Sequence, residues 1–255
     1  MLATNPFAAL SASIAPALMQ AYVLVMLALV VLGTLLDVVH KGSAKYFFEN
    51  WRRTKARAKR LDGGELASIA VQTAVVDVLA SGEFCNVRRR IAHLLTMYGF
   101  IVYIVATVVM VFSDSANDLW PHLWWLGGLM VLVGGYWFWF FIRVDVVAEG
   151  GSPLRVMRAD LFVLSLVVSV TLGLIWAWLQ SSGSVAASMF FALYIIATTV
   201  LFGSVPWSKF AHMFFKPAAA FEKRVSNANG TRANLPAPAD KPEQFGSARE
   251  LPQHY

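Results

Sequence analysis

The chain has 255 residues, 58% of them hydrophobic and only 14% charged, where a soluble domain carries about 25% charged residues. Its apolar residues come in blocks long enough to cross a bilayer, which excludes an ordinary soluble domain and reads as an all-α integral membrane protein. The single cysteine, Cys85, excludes an intramolecular disulfide and any cysteine-ligated iron–sulfur or zinc site built from this chain alone.

Residues 1–15 are short, uncharged and Ala/Ser-rich. Met1 to Gln20 holds no Lys or Arg, so the basic segment of a cleavable signal is missing and the first apolar run is expected to stay as an anchor. The first span covers residues 17–39. It ends at Asp37, His40, Lys41 and Lys45, with Trp51 beyond, an aromatic and basic boundary. Residues 41–90 form the longest connection. Its first part is strongly basic through Arg60, then Asp62-Gly63-Gly64 breaks it. The segment 64–82 is too short to span, and Ser68, Gln72, Thr73, Asp77 and Ser81 recur at helical spacing. It reads as an amphipathic helix on the membrane face or against the bundle.

The second span, residues 91–112, starts directly after Arg88-Arg89-Arg90. Ser113–Asp118 is a polar turn without a positive charge, and Trp120, Trp124 and Trp125 mark an interface. The third span, 123–142, carries Gly127, Gly128, Gly134 and Gly135, which allow close helix contact. A short basic loop leads to the fourth span, 161–180. A tight turn leads to the fifth, 185–205, which Pro206 breaks. The membrane domain is expected to close near residue 220. From Val225 the composition turns to Asn, Ala, Pro, Gly and charges without periodicity, a disordered tail over 225–255.

Lys and Arg number 21. Eleven fall in the first connection, three in the third and seven after the fifth span, and the N-terminus and the second and fourth connections have none. By the positive-inside rule the expected fold is a five-transmembrane-helix bundle with its N-terminus outside and its C-terminus cytoplasmic. Using residues 68–82 as a sixth span would destroy the alternation. The net charge of +6 therefore signals topology, and no nucleic-acid partner is expected.

This topology sets the depth of two histidines. His93 lies three residues past Arg90, about 5 Å into the second span. His212 lies past Pro206, between Lys209 and Lys216, at the same side of the membrane. A histidine inside a span is a functional-site candidate. Two at like depth on different helices are what an axially coordinated b-type haem requires, each giving one nitrogen to iron. The competing reading is two interfacial histidines beside basic residues, with Lys209 keeping His212 at the headgroups. His40 is a rival ligand on the same side. His122 follows Pro121 on the outer surface, His254 lies in the tail, and Cys85 sits near a boundary. Asp37 and His40 share a helix face as an interfacial pair.

The second span opens Arg-Arg-Arg-Ile-Ala-His-Leu-Leu-Thr-Met-Tyr-Gly-Phe. The fifth closes Pro-Trp-Ser-Lys-Phe-Ala-His-Met-Phe-Phe-Lys-Pro. With five spans and an outside N-terminus, these stretches resemble the nitrate reductase gamma-subunit-like cytochrome b family over residues 15–220. Such proteins exchange electrons between membrane quinone and a soluble iron–sulfur or flavoprotein reductase docked on the cytoplasmic side of the bacterial inner membrane. The resemblance implies His93 and His212 as haem iron ligands. Two-haem members carry a further histidine on each of these spans, and those positions here are Tyr103 and Tyr194, so the resemblance implies that the outer pair is lost. A one-haem or haem-free member looks most like the membrane anchors of dissimilatory adenylylsulfate reductase. Two other readings remain: a cofactor-free anchor, and a small transporter or sensor. The chain shows no internal repeat, and Asp37, Asp145 and Asp160 cluster near span ends, away from the mid-depth sites of transporters.

Overall fold

Every described element is a helix. The computed structural model describes residues 4–40, 49, 52, 61–82, 84, 86–113, 117–143, 156, 157, 160–207 and 212–230. They belong to two compact units: Met1–Lys41 with Val87–His212, and Gly42–Asn86 with Met213–Tyr255.

The first unit holds α1 (Pro6–Leu10), α2 (Pro16–His40), α4 (Val87–Phe112), α5 (Leu119–Trp137, continued as a π-helix over Phe138–Ile142), α6 (Leu161–Ser181) and α7 (Ala187–Gly203). Four helices are long and apolar enough to cross a membrane: Pro16–Asp37, Val87–Phe112, Leu119–Ile142 and Leu161–Ser181. The chain is a multi-pass membrane protein. α7 is equally apolar and shorter, at 17 residues.

Hydrocarbon provides no hydrophobic drive between helices, so close backbone approach and interhelical hydrogen bonds must hold them. The glycines supply the first. A Cβ on Gly134 would lie 2.7 Å from the Ala92 carbonyl, and one on Gly99 2.8 Å from the Gly127 carbonyl. α4 and α5 therefore run antiparallel in backbone contact. Gly128 against Leu174 and Gly135 against Val167 set α5 antiparallel to α6 in the same way. Ser169 and Thr198 hydroxyls at 2.7 Å join α6 to α7. α2 and α7 run parallel. The Tyr22 hydroxyl in the second turn of α2 donates to the Ile195 carbonyl midway along α7 at 3.1 Å, and Gly33, further along α2, meets Val205 and Pro206 just past the end of α7. Thr96, Thr107, Thr171 and Thr199 each donate to the carbonyl four residues back, which satisfies hydroxyls where water is absent.

The N-terminal segment does more than its composition suggests. The Asn5 side chain caps α1 by accepting from the Phe7 amide at 2.9 Å, and donates to the Met110 carbonyl at 2.9 Å. The Gln180 amide donates to the Pro6 carbonyl at 2.7 Å. Held this way, α1 closes one end of the bundle and buries Phe7 and Leu10 in its core.

The opposite end is clamped by charge. The wide π-turn closing α5 is followed by Arg143, whose guanidinium is bidentate to Asp160 at 3.1 and 2.5 Å. It also lies 4.1 Å from the Trp139 ring centroid. Asp160 accepts a further bond from the Met157 amide at 2.9 Å.

The second unit contains α3 (Gly63–Gln72), its π-helical continuation Thr73–Leu79, and α8 (His212–Ala228). α3 starts on a reciprocal capping box between Asp62 and Glu65, which satisfies two orphan amides at once. The amphipathic segment expected over 64–82 is thus helical from Gly63 to Leu79. Arg224 of α8 is bidentate to Asp77 at 2.6 and 3.0 Å, and this bonding pushes the guanidinium value up. Anchored by that pair, α8 runs to Ala228, past residue 225, where the composition changes. The tail from residue 231 onward, Cys85 and the basic stretch 53–60 lie outside the described residues.

Candidate functional site

The N-terminal half of α4 places His93 one residue after Ala92, the residue in backbone contact with Gly134. His93 is half-buried. Phe100 follows it two turns on, at the same face of the helix. Its ring meets Phe162 of α6 and Phe202 of α7, both at 6.4 Å between centroids. The His93 face of α4 is therefore turned toward α6 and α7, into the bundle. A 3-10 turn at Val205–Trp207 follows α7, and His212, five residues further along the sequence, is the first residue of α8. The His212 side chain lies outside the described residues.

The other histidines separate cleanly. His40 is the last residue of α2 and is exposed. His122 is exposed in the first turn of α5, with Nδ1 2.6 Å from the Asp118 carbonyl. His254 is outside the described residues. Among the described residues no three His, Cys, Asp or Glu side chains come together as a metal site.

Tyr103 and Tyr194 are brought together. The Tyr103 hydroxyl donates to that of Tyr194 at 3.3 Å, and both residues are buried. Thr198, one turn beyond Tyr194 on α7, is joined to Ser169 of α6. Two hydroxyl pairs thus tie α7 to α4 and to α6. Aromatic rings enclose the tyrosine pair. Trp124 stacks on Tyr103 at 4.9 Å and Trp176 on Tyr194 at 5.8 Å, and Phe7 of α1 closes on both indoles at 6.0 and 5.2 Å. The Trp124 indole donates to Thr107 at 3.0 Å. The Trp176 indole nitrogen is buried without a hydrogen-bond partner among the described residues.

This arrangement tests whether a haem could sit between Tyr103 and Tyr194. Two axial ligands are held apart by the iron and the plane of the macrocycle. Here the hydroxyls bond directly to each other, two indoles fill the flanking space, and the Tyr103 hydroxyl lies 2.6 Å from where a Cβ on Gly173 would stand. The residues at Tyr103 and Tyr194 do not fit a haem.

The sequence marks Tyr103 and Tyr194 by position but carries no sign of their mutual bond, nor of Trp124, Trp176 and Phe7 around them. Such pairing is tertiary and leaves no local periodicity. A double-mutant cycle on Tyr103→Phe and Tyr194→Phe is expected to return a coupling of about 0.6 kcal/mol, near the average for hydrogen bonds between membrane helices. Unfolding midpoints in detergent check it. No family model, curated protein or solved structure matches the chain.

Proposed function

We propose that the chain is a five-span subunit of the bacterial inner membrane with its N-terminus outside and its C-terminus cytoplasmic. It anchors a soluble cytoplasmic iron–sulfur/flavin reductase and passes electrons between that enzyme and the quinone pool through one b-type haem held by His93 and His212. The observation that carries the reading is the orientation of the His93 face of α4 toward α7, the helix that leads to His212. The fit to a haem there rests on the chemistry of the donors, two imidazoles from separate helices. A bound haem supplies a reversible one-electron carrier.

Charge supports the orientation. The parallel course of α2 and α7, with antiparallel neighbours between them, lets each connection leave a defined end of the bundle. In the sequence, all 21 Lys and Arg fall in the first and third connections and after the fifth span, and none falls before the first span or in the second and fourth connections. The same basic segments suit an acidic soluble partner by complementarity. Adenylylsulfate reductase is the specific partner favoured by the resemblance at Arg88–Phe100 and Pro206–Pro217. This chain carries no nucleotide motif, so the sulfur chemistry would belong to the partner.

A reduced-minus-oxidised spectrum of purified protein tests the reading. One haem per chain is expected. A chain without any b-type band is instead a cofactor-free anchor, the reading that the filled space around Tyr103 and Tyr194 favours.

A further inference from the structure

We propose that the α3 face formed by Val71, Val75, Val76 and Leu79 is seated in the acyl region of the bilayer, with the helix lying in the membrane plane. The inference rests on the reading that α4, the next helix in the chain, crosses the membrane.

The helix from Gly63 to Leu79 divides its side chains unevenly. Leu66 and Ile69 are half-buried, Thr73 is buried, and Asp77 is turned to Arg224. Val75 and Leu79 lie on the face opposite Asp77, with Val71 one turn before them. These residues are exposed by 64% at Val71, 51% at Val75 and 52% at Leu79, with Val76 beside them at 39%. Ser68 and Gln72 sit at the margin. Between Leu66 and Leu79 the only charge is Asp77, and Arg224 neutralises it. A contiguous apolar face of this kind is not left in water without a purpose.

Its occupant follows from composition and tether. The face is wholly aliphatic, lacking the Trp, Tyr and Arg that anchor protein interfaces, and aliphatic side chains match acyl chains. Leu79 is eight residues from Val87, where α4 begins, so the link reaches at most about 28 Å and holds α3 near the surface where α4 enters. Lys41–Arg60 before α3 and Arg88–Arg90 after it bracket the segment with positive charge. That is the pattern of a segment drawn to anionic headgroups. At 17 residues including its capped polar start, the helix is too short in apolar length to cross.

The test uses the full chain with Cys85→Ser, in nanodiscs containing anionic lipid, and single cysteines carrying an environment-sensitive fluorophore. Val75→Cys and Leu79→Cys are compared with Gly63→Cys, where a side chain meets nothing, and with Ile101→Cys on the exposed face of α4. Labels at 75 and 79 are expected to be quenched by lipids with a shallow acyl-chain nitroxide and shielded from aqueous iodide. The label at 63 is expected to respond in the opposite sense. Iodide quenching at 75 and 79 overturns the proposal. So does protection from both quenchers, which would mean that protein covers the face. Quenching of the Ile101 label by a deep nitroxide keeps these failures separate from a failure of the spanning reading.

Discussion

Gly127→Ala is expected to unfold or grossly destabilise the protein, although it adds one methyl group. That methyl would stand 2.7 Å from the Tyr103 amide nitrogen and 2.8 Å from the Gly99 carbonyl. Both are backbone atoms of the facing helix, so no side chain can rotate away. Relief requires α4 and α5 to separate, which also pulls Tyr103 from Trp124 and from Tyr194. Overpacking costs about 1–3 kcal/mol where side chains can adjust, and more where they cannot. An effect of about 3 kcal/mol or greater is expected here. Gly203→Ala is the control, because its Cβ meets nothing within 4 Å. It should stay within about 0.5 kcal/mol of the parent. Thermal midpoints in detergent, followed by tryptophan fluorescence, distinguish the two. Equal midpoints would mean that the close α4–α5 contact does not hold the bundle.

Arg143→Ala is expected to be nearly as damaging, for an electrostatic reason. Arg143 and Asp160 are 7% and 9% exposed. Removing the guanidinium leaves a buried carboxylate with, among the described residues, only the Met157 amide to compensate it. Breaking one partner of a buried ion pair costs about 3–5 kcal/mol. The double variant Arg143→Met with Asp160→Leu should recover most of that loss, since an apolar pair carries no desolvation penalty. The same midpoint measurement checks both variants. A single variant as stable as the parent would show that the pair does not clamp α5 to α6.

Much of the bundle was legible because a membrane imposes simple rules. Apolar length gave the four long helices within a few residues, and the largest shifts came at their starts. α4 begins at Val87 and takes Arg88–Arg90 into its first turn, because arginine favours helix as well as headgroups. α5 begins at Leu119, since Pro121 fits a first turn, where its missing amide costs nothing. α7, read as 185–205, is helical only over Ala187–Gly203, with turns at Ser184 and Ser204 trimming both ends.

The parts that were not legible depend on contacts between distant residues. Nothing near Phe7 announces that it lies between Trp124 and Trp176. Asp160 stands in the sequence as an acid near a span end, but its partner Arg143 lies 17 residues before it. Asp77 was read as one polar residue of an amphipathic stripe, whereas its role is to hold Arg224, 147 residues on. At the candidate site the sequence supplied His93 and its depth. The structure added the Phe100–Phe202 contact that turns this face of α4 toward α7.

The proposed arrangement is a single haem at His93, with no second site at the tyrosines. Haem content per chain, measured on purified wild type, His93→Ala and Tyr103→Phe, tests it most directly. One haem is expected in wild type, one in Tyr103→Phe and none in His93→Ala. Haem retained at full stoichiometry in His93→Ala, or lost in Tyr103→Phe with the fold intact, would contradict it.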